Sequence, residues 1–578
     1  MYGNKEIAKV FKVTGQLMDL YDENPFKVKS YQAAAFKIER VENQLAELGT
    51  KELEQIEGIG KSHASKIREI VETGTLQDLQ KLLDKTPPGI IQMLNIKGIG
   101  PKKAKTIWQE LKIDSIGELL YACNENRLVE VKGFGYKIQE QIQKAIHFTI
   151  FNAGKFHFAT AEKMALLLME QIKIAAKPAH ISLTGAIRRK SEVIEKIEIL
   201  VGTDDIDAIH RLFPVKQVVP ELMETEERDT EDSKEIFTVE KATPGIISGK
   251  TKSGILFEIV ICQPENFFWK LFISTGSSEH VAALNKQYLL NVKSEEEIYA
   301  ANNLEYVIPE MREKASVTLS GVDGKGVLKV SDIIEMSDLK GILHVHSLYS
   351  DGIHSLEQMA TYCNASGYEY LGMSDHSQSA FYANGLKSQR VAEQHAEIDA
   401  LNKKLAPFKI FKGIESDILS DGSLDYDEAV LETFDFIVAS IHSNLKMDKE
   451  KATSRLLKAI ENPHTTILGH PTGRLILIRE GYEIDHKAII DACAKHHVVI
   501  ELNANPYRLD MDWRWINYAL SKGVMISINP DAHNKESYSD MYYGVCVARK
   551  GGLTKDMTFN AMPLREMENY FIKKKSIR

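Results

Sequence analysis

Twelve of the 18 histidines fall after residue 337, and several stand with carboxylates just past short apolar runs. His344 and His346 follow Gly341-Ile-Leu, Asp375-His376 follows Leu371-Gly-Met-Ser, and Glu415 follows Phe411-Lys-Gly-Ile. His442 follows Val438-Ala-Ser-Ile, His470 follows Leu468-Gly, and Asp531-Ala-His533 follows Ile528-Asn-Pro, while Asp351 sits in Ser350-Asp-Gly. Imidazole and carboxylate are ligands for divalent cations, and His-x-His on a strand turns both rings to one face. One multinuclear centre explains all nine residues: His344, His346, Asp351, His376, Glu415, His442, His470, Asp531 and His533. The chemistry that suits it is hydrolysis of a phosphate ester, with water activated by the metals and the phosphate oxygens neutralised. Mixed imidazole and carboxylate donors favour zinc or manganese over magnesium, with iron also compatible. Arg474, in His470-Pro-Thr-Gly-Arg, is a candidate for a bidentate phosphate contact. Asn503, Asn505, Tyr507 and Arg508 either line the substrate groove or form only the turn after a strand.

The elements that must position these residues follow from the same pattern. From residue 338 apolar strands and helices alternate, as in an α/β barrel, and ligands at the carboxyl ends of successive strands converge on one mouth. Upstream, residues 316–337 hold Gly321, Gly324 and Gly326 and suit a linker. Before that, β-branched runs at 180–184, 197–201 and 255–261 predict a mixed α+β module. The acidic run from Glu221 to Glu240 reads as a solvated loop or helix face. Residues 5–48 have helical periodicity, with Ile7, Val10, Phe11 and Leu17 on one face and a break at Asn24-Pro25.

A repeat follows the first helices: Gly58-Ile-Gly60, Gly98-Ile-Gly100 and Gly133-Phe-Gly135, each opening a helix. Such a turn lets backbone N–H groups and a helix N-terminus face a phosphate without regard to base sequence. Lys61, Lys66, Lys102, Lys103 and Lys105 lie close by. A single copy reads equally well as a helix–helix turn; three copies with lysines point to a nucleic-acid backbone. Residues 1–150 carry 22 Lys+Arg against 20 Asp+Glu, a balance of +2 that leaves −11 of the overall −9 to the rest.

These repeats resemble the helix-hairpin-helix motifs of family X DNA polymerases over residues 1–155. Gly185-Ala-Ile-Arg-Arg189-Lys-Ser-Glu, followed by Lys196-Ile-Glu198, resembles the palm signature of the same nucleotidyltransferases, and Thr275-Gly-Ser the turn over the incoming nucleotide. In that family a strand carries Asp-x-Asp, with a third Asp from a neighbouring strand, to hold two magnesium ions. Here Lys196, Glu198 and Glu258 stand at those places, Ala186 replaces a serine, and Ile273-Ser274 an aromatic pair. Two like charges 4 Å apart repel by roughly 4 kcal/mol at intermediate dielectric, so Lys196 is expected to pair with Glu198 and Glu258 and fill the old metal site. The resemblance then implies a DNA-holding module with little or no synthesis. Lys66 matches the position at which family X lyase domains form a Schiff base, which requires an uncharged amine; the alternative is a phosphate-binding or solvated lysine.

Residues 338–578 resemble the PHP (polymerase and histidinol phosphatase) domain. That resemblance implies two or three metals: one held by His344, His346, Glu415 and Asp531, another by Glu415 with His442 and His470, and a third by Asp351, His376 and His533. The implied fold is multidomain. All-α helix-hairpin-helix regions occupy 1–85 and 86–155, an α+β palm 156–254 and a thumb 255–318. A linker spans 319–337, and a distorted (β/α)7-type PHP barrel 338–578. The implied function is DNA repair by a barrel that hydrolyses phosphodiesters from 3′ ends, with abasic-site cleavage or 3′-phosphate removal as related uses. Alternatives are a gap-filling polymerase with an exonuclease, and a DNA-end-binding scaffold carrying a small-ester phosphatase. The expected partner is gapped, nicked or 3′-ended DNA, with no membrane and a monomeric state favoured.

Composition agrees. Hydrophobic residues make up 43% and charged residues 26%, ordinary globular values, and no apolar run approaches the ~20 residues of a membrane span. The five scattered cysteines and an N-terminus without a secretory pattern suit a reducing cytoplasm.

Overall fold

The computed structural model describes residues 3–577 apart from 42, 125, 126, 130, 132, 215–236, 285–290 and 314–328. Most of the acidic run from Glu221, and Gly321, Gly324 and Gly326 of the expected linker, therefore lie outside the described residues. The chain forms two compact units, Met1–Ala153 and Gly154–Arg578. No described helix is long and apolar enough to cross a membrane.

The first unit is helical. Asn24 caps the helix Pro25–Ile38 by accepting from Phe26 N, with proline in the first turn where no N–H is needed. One continuous core runs from Ile7 through Ile67 and Ile107 to Ile146. The helices on either side of 85/86 share this interior, since short helices bury too little area singly. The three Gly-x-Gly turns have a common backbone. Gly58, Gly98 and Gly133 have φ of +85°, +97° and +95°. Ile59, Ile99 and Phe134 are buried and donate to the carbonyls of Ile56, Ile96 and Val131 at 2.9, 3.0 and 3.0 Å. The helices Lys61–Thr73, Pro101–Gln109 and Tyr136–Asn152 start directly after the second glycines.

The second unit holds two sheets besides a short pair made by β1 (Phe156–His157) and β3 (Val193–Ile194). Five strands, β2 (His180–Thr184), β4 (Lys196–Gly202), β5 (Phe237–Thr243), β6 (Ile246–Thr251) and β7 (Leu256–Cys262), form a sheet in the order β2-β4-β7-β6-β5. The pair β4–β7 is parallel and the rest antiparallel. Phe257, Ile259 and Ile261 of β7 enter the same core as Ile197, Ile199 and Val201 of β4. The palm therefore extends to Cys262, beyond the expected boundary at 254, and the helical thumb-like part follows it.

Seven parallel strands then form the barrel: β8 (Gly341–Ile342), β9 (Tyr370–Met373), β10 (Lys409–Asp417), β11 (Phe436–Ser440), β12 (Ile467–Leu468), β13 (Val499–Asn503) and β14 (Ile526–Asn529). They lie in sequence order, and a parallel bridge between Val345 and Ala532 brings the first and last together. Alternation along β10 divides its residues. Ile410 and Ile414 pack outward toward the helices, whereas Phe411 joins Leu343, Tyr370, Phe436, Ile467 and Val499 in an inner layer. Met567 and Phe571 of the C-terminal helix Leu564–Ile577 pack into that layer. Polar inward residues are thereby left to the carboxyl ends of the strands. The barrel also begins earlier than 338: Ile333 and Ile334 are buried, and Ile334 N donates to Leu553 O at 3.0 Å.

Candidate metal centre

All nine expected ligands converge at the carboxyl mouth of the barrel. Glu415, fully buried on β10, is the hub. Its Oε1 lies 3.3 Å from His344 Nε2, 3.2 Å from His442 Nε2 and 3.0 Å from His470 Nε2. Its Oε2 lies 2.9 Å from His376 Nδ1 and 3.6 Å from His346 Nε2. Asp531 Oδ1 is 3.1 Å from His346 Nε2 and 3.5 Å from His344 Nε2. Asp531 has φ +53°, a conformation few non-glycine residues adopt, which turns its carboxylate into the cluster. Asp351 Oδ1 is 3.3 Å from His533 Nε2 and 3.6 Å from His376 Nε2. Asp351 and His533 are about one-third exposed while the other seven are buried or nearly so, so this third group forms the solvent side.

The fit to cations is direct. Three sets of donor atoms each lie within 4.8 Å of one another: His346, Asp351, His376 and His533; His344, His346 and Asp531; and His376, Glu415 and His442. His346 and His376 are shared between groups more than the resemblance implied. Nε2 of His344 and Oε2 of Glu415 are buried without a hydrogen bond. Buried polar atoms are nearly always satisfied, and a cation would satisfy these.

Two carboxylates that orient the ligands were not singled out from the sequence. Glu501 on β13 accepts from His344 Nδ1 at 2.6 Å, from Asn529 Nδ2 at 3.2 Å, from Asn503 Nδ2 at 3.0 Å and from His470 N at 3.2 Å. Asp417 accepts from His442 Nδ1 at 2.5 Å. With the proton on Nδ1, each imidazole turns its Nε2 lone pair inward. Burial opposes charging of His344, but Glu501, Glu415 and Asp531 raise its pKa well above the usual histidine value. Burial would likewise raise Glu415, yet His442, His344 and His376 hold it well below the carboxylate range. Cations would compete with protons for these same atoms. The i, i+2 rule that finds His344 and His346 would also have found Glu415 with Asp417 and Glu501 with Asn503.

Arg474 does not behave as expected. Its Nε donates to Arg508 O at 2.9 Å, Nη1 to Asp512 Oδ2 at 2.8 Å and Nη2 to Leu509 O. The guanidinium is spent on the loop 508–512. Arg508, carried by that loop, is the arginine at the centre, with Nε 3.4 Å from Asp531 Oδ2.

In the palm-like sheet Glu198 and Glu258 are register partners on parallel strands. Lys196 Nζ lies 2.9 Å from Glu258 Oε1 and 3.3 Å from Glu198 Oε1, the expected bridge. Despite partial burial, Glu258 and Glu198 raise its pKa above that of an ordinary lysine. Gly185 (φ +63°) admits Glu198 closely: a Cβ there would stand 1.7 Å from Glu198 Oε2. Arg189 is also engaged, donating to Thr275 O at 2.8 Å and pairing with Glu313 at 3.2 Å.

In the helical unit the space beside Gly60, Gly98, Gly100, Gly133 and Gly135 is open, whereas Lys37 packs against Gly58 in the first turn. Lys61 and Lys102 are exposed, while Lys103 Nζ folds back to Gly98 O at 3.0 Å. Lys132 lies outside the described residues. Lys66 is paired with Asp78 at 2.7 Å beside Tyr31.

The fold and its mouth define a class: a phosphoesterase barrel in a chain that also carries a nucleotidyltransferase-like sheet and helical hairpins. Comparison with known proteins gives the same division. The descriptions "Helix-hairpin-helix domain", "SAM-like Helix-hairpin-helix tandem" and "PHP domain" match residues 2–76, 90–147 and 343–505. The DNA polymerase/3'-5' exonuclease PolX of Bacillus subtilis is 33% identical across 98% of this chain and 99% of its own length. The chain belongs to that family, the bacterial family X DNA polymerases with a C-terminal PHP domain. Probable phosphatases of Thermoanaerobacter sp. and Clostridium acetobutylicum are 25% and 27% identical. They cover 40% and 33% of this chain and 94% and 78% of their own lengths.

Proposed function

We propose that the barrel hydrolyses DNA phosphodiesters from 3′ ends, and that the hairpins and palm-like sheet hold nicked, gapped or 3′-ended DNA without extending it. The observation that carries this reading is a contrast in charge. Eight further candidate ligands gather with Glu415, whereas Lys196 puts an ammonium between the two carboxylates that would otherwise hold magnesium. Cations in the barrel, zinc or manganese by their donors and iron by the same logic, supply charge for phosphate oxygens and lower the pKa of water. The chain's own residues do the rest: Glu501 and Asp417 fix the rings of His344 and His442, and the exposed Asp351 and His533 receive the substrate from solvent. The family relationship to the Bacillus subtilis protein supports the DNA substrate and the 3′ polarity.

Removal of a 3′-phosphate is a second reading, favoured by the barrel-sized relatives named probable phosphatases. Single-stranded and recessed DNA labelled at the 3′ or the 5′ end, incubated with manganese or zinc, separates these. Early release of 3′-terminal mononucleotides supports the first, and inorganic phosphate from a 3′-phosphorylated oligonucleotide with no shortening supports the second. Cleavage that starts at the 5′ end would contradict both.

A further inference from the structure

The loop that Arg474 secures carries two side chains that the metal centre alone does not explain. Arg508 is about one-fifth exposed, its Nε is held 3.4 Å from Asp531 Oδ2, and its Nη groups make no hydrogen bond among the described residues. Tyr507, next in the chain, is 47% exposed. Its ring stands edge-on to His157 at 4.5 Å between centroids. His157, on β1 of the front part of this unit, has Nε2 2.8 Å from Ile476 O, and Ile476 N donates to Tyr507 O at 2.6 Å. The loop is thus fixed from the barrel side by Arg474 and from the β1 side by His157.

We propose that Arg508 is a phosphate-contact residue of the barrel, and that Tyr507 beside it is the platform for the 3′-terminal base of single-stranded DNA. A guanidinium is a fork: with Nε 3.4 Å from Asp531 Oδ2, the Nη pair is left to take two phosphate oxygens together, which an ammonium cannot do. An exposed tyrosine held against His157 through an edge contact leaves a ring face for a base. Stacking of that kind tolerates any sequence, as a trimming enzyme requires. Arg474 then acts through Arg508 by holding its carbonyl and that of Leu509.

This inference rests on the DNA reading above, and its test separates the two. The full-length protein with manganese is compared with Arg508→Ala, Arg508→Lys, Tyr507→Ala and Tyr507→Phe, using 3′-labelled single-stranded DNA and measuring bound metal for each. Arg508→Ala is expected to lower kcat/KM by ~100-fold with metal content unchanged, the scale of losing one aimed charge contact, and Arg508→Lys to recover only part. Tyr507→Ala is expected to raise KM by ~10-fold, as loss of one stacked base would, with kcat preserved. That increase should vanish on an oligonucleotide whose 3′ residue lacks a base, and Tyr507→Phe should match wild type. In EDTA, where nothing turns over, an oligonucleotide ending in 3′ 5-iododeoxyuridine should photocrosslink to Tyr507. Loss of metal together with activity in Arg508→Ala would show an arginine that merely holds Asp531, and would overturn the phosphate role. A Tyr507→Ala effect of equal size on base-less ends, or crosslinks confined to other residues, would overturn the platform. If wild type trims no DNA yet crosslinks at Tyr507, the reading of the reaction fails while the platform stands.

Discussion

Two carboxylate centres in the second compact unit handle their charge in opposite ways. On the parallel strands β4 and β7, Glu198 and Glu258 are neutralised from within by Lys196, a residue of the same strand as Glu198. At the barrel mouth, Glu415, Asp531 and Asp351 face imidazoles, which are neutral ligands once deprotonated, so their charge is kept for cations. Carboxylates at strand ends are not enough to define a catalytic centre. What fills the space between them decides whether a metal can enter.

The barrel side of the comparison gives the largest effects. Glu415→Ala should abolish hydrolysis by more than ~100-fold, beyond the scale of an outer partner, and should lower bound metal measured by mass spectrometry of the dialysed protein. Metal content unaltered by that change would break the comparison at its stronger half. Glu501→Gln keeps the shape but weakens the acceptor that orients His344, and should reduce metal affinity by ~10- to 100-fold in a chelator titration.

On the sheet side, Glu313 holds Arg189 of the palm-like signature. Burial raises a carboxyl pKa, but Lys550 first, then Arg189 and Ser191, bring Glu313 down from 4.5 to about 2. A depressed carboxylate pKa stabilises the fold above the unfolded value near 4.5, and that gain is lost as pH falls through about 2. The carboxylate is about one-fifth exposed, and the shift corresponds to about 3 kcal/mol. Glu313→Gln should therefore lower stability at neutral pH and flatten its fall between pH 4.5 and 2 in denaturant melts. The smallest effect belongs to Lys196→Ala. Its partly exposed pairs are screened, so the loss should be about 1 kcal/mol. Lys196→Asp replaces the ammonium with a third carboxylate, so magnesium should raise the Tm of that variant and leave wild type unmoved.

The sequence made the barrel legible because strand periodicity ties residue spacing to direction. His344 with His346, and Asp531 with His533, need only alternation and a strand end to be placed together. Asp417 and Glu501 obey the same rule and were missed because they touch ligands instead of offering lone pairs to the centre. The exchange of roles between Arg474 and Arg508 was not legible. Both are arginines after strands of the same mouth, and which one is consumed by backbone carbonyls depends on how the loop 508–512 folds over Arg474. The palm boundary was misplaced for a similar reason: β7 reads as a strand, but its sheet partners are set by the burial of Phe257 and Ile259 against β4. The bridge at Lys196 was legible because two like charges on paired strands demand a counter-ion, and Lys196 stands two residues before Glu198 on the same strand face.

We propose that this chain has one working catalytic centre, in the barrel. The most direct test is a gapped duplex with a 5′-labelled primer, given all four deoxynucleoside triphosphates with magnesium or manganese, using wild type, His346→Ala and Glu258→Ala. Shortening without extension is expected in wild type and in Glu258→Ala, and neither in His346→Ala. Primer extension that Glu258→Ala removes, or shortening undiminished in His346→Ala, would contradict it.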